Sequence, residues 1–340
     1  MACEWRGGLL VSARLFWDKG ITLEFKGESL HLDVQRKPSG VSLLVSHAHG
    51  DHTGGLRFKG EGRVYLTRPT LALFEAAAGR KPKGEVKPVR YGERFKAGSF
   101  RVEAFNSGHI FGSSGFLVEA GGLTIAYTGD LNFVDSLLAE AAEPVNCDIL
   151  VLEATYGSPR YRFPPRNSVY SRIVRWVVDE TGRGRIPAFH VYPIGKAQEI
   201  VCLLNQYTSL QVYVHPKIAR INDAHRKFKV KLEAETLEDK PELGKVALVY
   251  PKGFLGYFEA GKVSPAIATG WAVQYQWMGL EAFPLSSHAD FPQLLSYVKA
   301  SKPKKVYTCY GFSEALASAI RRKLGISAEP LPSRREFKEF

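Results

Sequence analysis

The stretch Ser46–Gly55, SHAHGDHTGG, follows the apolar run VSLLV and sets three histidines and one aspartate within six residues. The chain has only nine histidines, so a third of them stand at the end of one strand-like run. A polar turn needs no imidazole, whereas imidazole nitrogens and carboxylate oxygens together suit a divalent cation. On an extended segment residues i and i+2 point the same way, so His47 and His49 can face one ion. Past the turn at Gly50, Asp51 and His52 can face a second. This cluster cannot complete two sites, and two strand-end residues are candidates for the remainder. His109 lies in NSGHIFGSSG, whose Gly108 and Gly112 permit close backbone approach. Asp130 ends the strand in YTGD, where one carboxylate could bridge two ions.

The 340 residues, 45% of them hydrophobic, are enough for two packed domains with a sizeable core. No apolar run is long enough to cross a bilayer. The first residues, MACEWRGGLL, carry Glu4 and Arg6 early and read as no secretory signal. Cys3, Cys147, Cys202 and Cys309 are scattered without CxxC spacing, which predicts reduced thiols and an intracellular, cytoplasmic protein. Sparse Met and Cys beside plentiful Lys and Arg match a heat-adapted composition. The net charge of +12 is unevenly spread. Residues 1–156 hold 18 basic and 18 acidic side chains, residues 157–285 hold 18 and 11, a net of +7, and residues 286–340 hold 10 and 5, a net of +5. Positive charge outside the histidine-bearing segment suits a polyanionic partner.

Period-2 alternation predicts strands in SLHLDV, VSLLVS, RVYLT and SFRVEAFNS, and a hairpin around Gly121-Gly122. CDILVLEATYG reads as a buried strand running into a polar loop. From Asn167, a candidate helix cap, the pattern turns to alternating helices and strands, as in a small parallel-sheet domain. After SSHAD at Ser286–Asp290 come a helix, the strand KKVYTCY and a last helix.

SHAHGDH, GHIFGS and YTGD, in that order, resemble the motifs of the metallo-β-lactamase superfamily. EATYG at Glu153 and SSHAD, separated by an α/β insertion, resemble its β-CASP branch of nucleases. EATYGSPRYRFPPR is similar to ligase-associated DNA exonucleases. The resemblance implies an α/β fold, an αββα sandwich with an inserted β-CASP domain. The expected division is residues 1–160 for the first part of the sandwich, 161–284 for the insertion and 285–340 for the returning part. It implies one ion, Zn2+, held by His47, His49, His109 and Asp130, and a weaker second divalent metal (Zn2+, Mn2+ or Mg2+) held by Asp51, His52 and Asp130. Asp33 matches the acid that braces the histidine loop. Glu153 and His288 match a pair close to the scissile phosphate, with His288 as general acid and Asp51 and Asp130 sharing the catalytic work.

The pattern is broken in VYTCYGF, where Tyr310 stands in place of a family histidine that completes the second metal site. A protonated tyrosine is a poor ligand, hence the weaker second ion. Artemis-like DNA nucleases also lack that histidine. Cys309 reads as core. Arg160, Arg162 and Arg166 in the aromatic-interleaved stretch past Glu153, and Ser113, Ser286 and Ser287, are candidate phosphate contacts, as is Lys196 in PIGKAQE, for which packing in the inserted domain is the better reading. Trp271, Tyr275 and Trp277 read as packing residues rather than base-stacking ones. The expectation is a metal-dependent nuclease on single-stranded nucleic acid, which a cleft between two domains admits more readily than a duplex. A DNA 5′-to-3′ exonuclease comes first and an RNA-processing endonuclease or 5′ exonuclease second. A thioesterase or lactonase on the same metal core would leave the basic insertion unexplained, and a non-catalytic scaffold would leave the intact ligand set unexplained.

Overall fold

The computed structural model describes residues 13–237, 246–251, 262–276 and 279–334; Cys3, the N-terminal stretch and Trp277 lie outside them. The chain divides into two compact units. One comprises the segments ending at Val134, running Ala141–Pro159 and beginning at His288; the other comprises Asp135–Glu140 and Arg160–Ser287.

The first unit opens with a six-stranded sheet in chain order: β1 (Arg14–Trp17), β2 (Ile21–Phe25), β3 (Glu28–Leu32), β4 (Ser42–Leu44), β5 (Arg63–Thr67) and β6 (Val86–Val89). Its first three strands are antiparallel and the rest parallel. Helix α1 (Arg68–Ala78) starts at Thr67, whose hydroxyl accepts from the Thr70 amide, a standard way to satisfy an orphan helix N–H. A second sheet begins with β7 (Arg94–Ala97), β8 (Phe100–Asn106), β9 (Ser114–Ala120) and β10 (Leu123–Tyr127), all antiparallel, followed by β11 (Ile149–Glu153) parallel to β10. The β9–β10 turn is the expected Gly121-Gly122 pair, with φ of 61° and 81°, the positive values that a two-residue hairpin demands.

In the second unit α2 (Arg166–Gly182) leads to a wholly parallel sheet of β12 (Ile186–Val191), β13 (Gln211–Val214), β14 (Glu235–Thr236), β15 (Val246–Pro251), β16 (Val263–Ala268) and β17 (Glu281–Phe283). Helix α3 (Lys196–Tyr207) joins β12 to β13, and α4 (Pro216–Arg226) joins β13 to β14. Asn167 is not the cap of α2: the helix starts at Arg166 after Pro165, with no side-chain cap. Pro165 stands at the cap position itself, where its ring fixes φ and offers the first-turn amides no side-chain acceptor.

The chain then returns to the first unit with α5 (Phe291–Ser301), β18 (Lys305–Cys309), α6 (Ser313–Leu324) and β19 (Ser327–Pro330); β18 pairs parallel with both β11 and β19. Leu23, Leu30 and Tyr65 of the first sheet meet Phe100, Phe116 and Val151 of the second in one core. Each such side chain contributes about 1.5–3 kcal/mol on burial. The outer face of the second sheet, through Leu150 and Leu152, packs on Leu294 of α5 and Ile320 of α6. The first sheet covers its own outer face with Phe74 of α1. The layers are therefore helix, sheet, sheet, helix, the expected αββα sandwich, interrupted by an inserted α/β unit.

Because β8, β10, β11 and β18 all run in one direction, their carboxyl ends lie along one edge of the second sheet. Gly129, just past β10, sits at φ 58°, and a Cβ there would fall 2.6 Å from the Ser46 Cβ. The turn after β10 is thus pressed against the loop after β4. Gly129→Ala is expected to cost about 1–3 kcal/mol of stability, measured by urea denaturation. An unchanged midpoint would mean that the two loops separate without penalty.

Candidate metal centre

Asp33 follows β3, the His47–His52 loop follows β4, His109 follows β8, Asp130 follows β10, Glu153 ends β11, Tyr310 follows β18 and His288 precedes α5. All belong to the first unit. Among the described residues three groups bring at least three ligand-type atoms within 4.8 Å of one another: His47, His49, His109 and Asp130; Asp33, His47 and His52; and Asp130, Glu153 and His288.

In the first group His47 Nε2 lies 3.0 Å from His49 Nδ1, which lies 3.1 Å from His109 Nε2. Asp130 Oδ2 lies 3.4 Å from His47 Nε2 and 3.5 Å from His109 Nε2. A tetrahedral ion bound at about 2.0–2.1 Å has ligand–ligand edges of about 3.3–3.4 Å, so this cage has the dimensions of a four-ligand site. The proton inventory agrees. Ser46 Oγ donates its one hydrogen to Asp33 Oδ2 and therefore accepts from His47 Nδ1 at 2.9 Å. That places the lone pair of His47 Nε2 inward. Burial, reinforced by the neighbouring imidazoles, holds His47 well below the usual histidine range, and the neutral ring is the ligating form.

Asp130 faces both ways. Its Oδ2 belongs to the first group, while Oδ1 lies 3.5 Å from His52 Nε2. Asp51 Oδ2 is 3.7 Å from the same nitrogen, with its side chain 80% exposed, and Asp51 belongs to none of the three converging groups. The His52 side is therefore open and the His109 side closed. Burial lowers the affinity of His52 for a proton, yet Asp130, Asp33 and Asp51 outweigh it and push the ring up to about 10. Carboxylates so arranged draw positive charge to that point, whether proton or cation.

Glu153 and His288 are paired as expected. Glu153 Oε1 accepts from His288 Nδ1 and from the Leu131 amide, both at 2.8 Å, and Oε2 accepts from the Thr155 amide at 3.0 Å. Burial acts against a charged carboxylate, but His288 and these donors hold Glu153 below its ordinary range. His288 Nε2 then points at Asp130 Oδ2, 3.8 Å away. Burial lowers His288, and Glu153 and Asp130 more than compensate, raising it to about 9.

Tyr310 occupies the left-handed region at φ 61°, unusual for a bulky residue. Its hydroxyl is 3.3 Å from that of Tyr127, which donates to Asp33 Oδ2 at 2.8 Å. Tyr310 thus joins the bracing behind His52. Cys309 is core, its thiol directed at the Leu152 carbonyl. Two braces escaped sequence reading, Ser46 and Tyr127. The clue to Tyr127 was present: a tyrosine completing a buried strand needs a partner for its hydroxyl.

A model of the beta-lactamase superfamily domain matches residues 26–221. The chain belongs to that superfamily. It is 30% identical over 288 residues to a probable DNA ligase of Opitutus terrae, covering 82% of this chain but only 28% of the ligase. It is 27% identical to the RNase aCSPSF2 of Saccharolobus solfataricus, covering 91% of this chain and 77% of that protein. In fold it resembles the crystal structure of a protein of unknown function from Enterococcus faecalis V583, with a TM-score of 0.69 at 12% identity, over 96% of this chain and 99% of the other. The insertion between Glu153 and His288 and these relatives agree with the β-CASP branch of the superfamily. No helix among the described residues is long and apolar enough to cross a membrane.

The expected phosphate contacts fare differently. Ser113 is fully buried, with its hydroxyl accepting from the Ile110 amide, and Ser286 is buried; Ser287 is half-buried, and Arg160 and Arg162 are exposed. Lys196 is buried on Glu199, the packing role expected of its segment, whereas Arg166, half-buried and paired with the same carboxylate, corrects its surface reading. Lys196 Nζ lies 2.6 Å from Glu199 Oε2, and Arg166 Nη1 pairs with Oε1. The Tyr170 hydroxyl also donates to Oε1 at 2.6 Å, and Arg166 Nη2 donates to the Ser286 carbonyl at 2.6 Å. Buried charges persist only when paired. Burial raises the Glu199 carboxyl, but Lys196 and Arg166 outweigh it and hold it at about 2, against an ordinary 4.5. A depressed carboxylate stabilises the fold above its unfolded value and loses that contribution as pH falls through the folded one. Glu199→Gln is therefore expected to lose on the order of 3 kcal/mol near neutrality. The gap to wild type should narrow between about pH 4.5 and 2, followed by chemical denaturation; a gap independent of pH would contradict the pairing.

Proposed function

We propose that this chain is a metal-dependent nuclease that hydrolyses phosphodiester bonds of single-stranded nucleic acid. The observation that carries the reading is the closed cage of His47, His49, His109 and Asp130 beside the Glu153–His288 pair, one carboxylate serving both. His47, His49, His109 and Asp130 hold a first cation, Zn2+ by its nitrogen-rich donor set. Asp51, His52 and Asp130 hold a second divalent cation more loosely, because Tyr310 contributes no ligand there. When bound, the cations supply Lewis acidity to the phosphate and a water acidified to near neutrality. Glu153 accepts the Nδ1 proton of His288 and, with Asp130, favours the imidazolium, whose second proton stands on Nε2, the atom facing the cluster. His288 delivers it to the departing oxygen, and Asp130 and Asp51 shape the charge at the reacting centre.

A 5′-to-3′ exonuclease on DNA is the favoured mode, supported by the relative named a probable DNA ligase and by the stretch past Glu153. The relative named an RNase, which the chain matches over most of its length, favours RNA processing as the second reading.

Matched single-stranded DNA and RNA oligonucleotides, 5′-labelled, incubated with metal-loaded protein and resolved on a sequencing gel, decide between them. Mononucleotide release from DNA alone is the expected result; internal cuts or preferential loss of RNA would move the protein to the second reading. Asp51→Ala is expected to abolish cleavage while oligonucleotide binding persists. Hydrolysis of a thioester but not of bis-p-nitrophenyl phosphate would overturn the nuclease reading altogether.

The bracing role of Tyr310 has its own test. Tyr310→His is expected to raise the tightly held metal from about one to about two ions per chain after desalting, counted by mass spectrometry. An unchanged count would mean that residue 310 does not control the second site.

A further inference from the structure

The second unit carries a feature that the metal chemistry does not use. Its sheet order is β14-β13-β15-β12-β16-β17, so from β12 the chain moves through α3 to one side, while the later passage from β15 to β16 crosses to the other. In open parallel sheets, ligands bind beyond the carboxyl ends of the strands at such a reversal. The segments leaving β12 and β16 there both present exposed tyrosines. Tyr192 directly follows β12 and is 63% exposed; Tyr275, past the short 3-10 turn Gly270–Val273 after β16, is 50% exposed.

Tyr275 is held in place by ring on ring. Its centroid is 6.3 Å from that of Trp271 at 48°, and Trp271 stands edge-on to the fully buried Tyr161 at 5.4 Å and 90°. The Arg160 guanidinium lies over the Tyr161 ring at 5.1 Å. Gln274 Nε2 donates to the Arg160 carbonyl at 2.9 Å, tying the tyrosine-bearing turn to the arginine. The buried ring anchors the set and the outer ring stays half in water beside an exposed cation. A packing role would bury the outer ring as it buries Tyr161. The segment from 157 to 285 has a net charge of +7, from 18 basic and 11 acidic residues.

We propose that this aromatic–basic step is a binding site for single-stranded nucleic acid, with Tyr275 stacking on a base and Arg160 pairing with the adjoining phosphate. Every base has a π-face, so such a step holds a strand without reading its sequence. An arginine beside it supplies charge and direction. This rests on the nuclease reading and adds a subsite to it. Trp271 and Tyr275, expected from sequence to be packing residues, divide the work: Trp271 backs the step and Tyr275 forms its face.

The test uses the full chain in the Asp51→Ala background, with fluorescein-labelled single-stranded DNA and the same oligonucleotide carrying abasic positions, read by anisotropy at several salt concentrations. Tyr275→Ala is expected to weaken binding of the normal oligonucleotide about tenfold, while Tyr275→Phe retains it. The abasic oligonucleotide should bind equally to the parent and to Tyr275→Ala. Arg160→Ala should lower the salt slope by about one. Undiminished affinity in Tyr275→Ala, or an equal loss with the abasic strand, overturns the site while the nuclease reading stands. If wild type cleaves no polymer and the parent binds none, both readings fall together.

Discussion

The His47–His52 loop is held by one carboxylate. Asp33 accepts hydrogen bonds from the Ser46 amide at 2.8 Å, from the Ser46 hydroxyl, and from His52 Nδ1 and the Tyr127 hydroxyl, each at 2.8 Å. One of these donors reaches Oδ1 and three converge on Oδ2. Through Ser46 it sets the tautomer of His47, through His52 it turns the opposite face of the loop, and through Tyr127 it reaches the second sheet. A buried anion with this many donors is stable where a lone one would be costly. Residue 33 itself adopts φ 51°, a conformation that aspartate tolerates better than most side chains. The backbone bend and the charge that fixes the loop are thus supplied by the same residue.

Much of this was legible from sequence for a simple reason. Side-chain direction in strands has period two and strand ends are marked by turn residues, so the HxHxDH spacing and the positions of His109 and Asp130 already restricted where those groups point. The glycine pair at 121–122 announced its hairpin by the only backbone values that such a turn accepts. Arg166 was misread because a cation in a polar stretch looks solvent-facing until its partner is known. Glu199 is 33 residues from Arg166, and no local pattern signals that pairing. Tyr127 and Ser46 were hidden for the opposite reason: they stand first in YTGD and SHAHGDH, and hydroxyls that orient other side chains leave no periodic mark.

The two units handle charge by different rules. Around Asp130 the carboxylates of Asp33, Asp51 and Glu153 stand close to histidines and gather positive charge, which is what a cation site requires. Around Glu199 two cations share one carboxylate inside the fold, so the charge is closed off. At the heart of each lies a buried carboxylate, Asp130 or Glu199, and the balance of signs separates a place that attracts an ion from one that seals itself.

The order in which the chain visits the second sheet has a consequence for synthesis. β11 and β18 are adjacent and in register, with Glu153 opposite Cys309, yet the long segment Arg160–Ser287 of the second unit is made between them. Until Lys305 emerges from the ribosome, β11 is an edge strand with unpaired amides and carbonyls, the kind of surface on which other strands dock. His288, 135 residues from Glu153, arrives in the same interval. A nascent chain therefore carries the whole histidine cage before it carries His288, and the growing sheet needs shelter for as long as the insertion takes to be made.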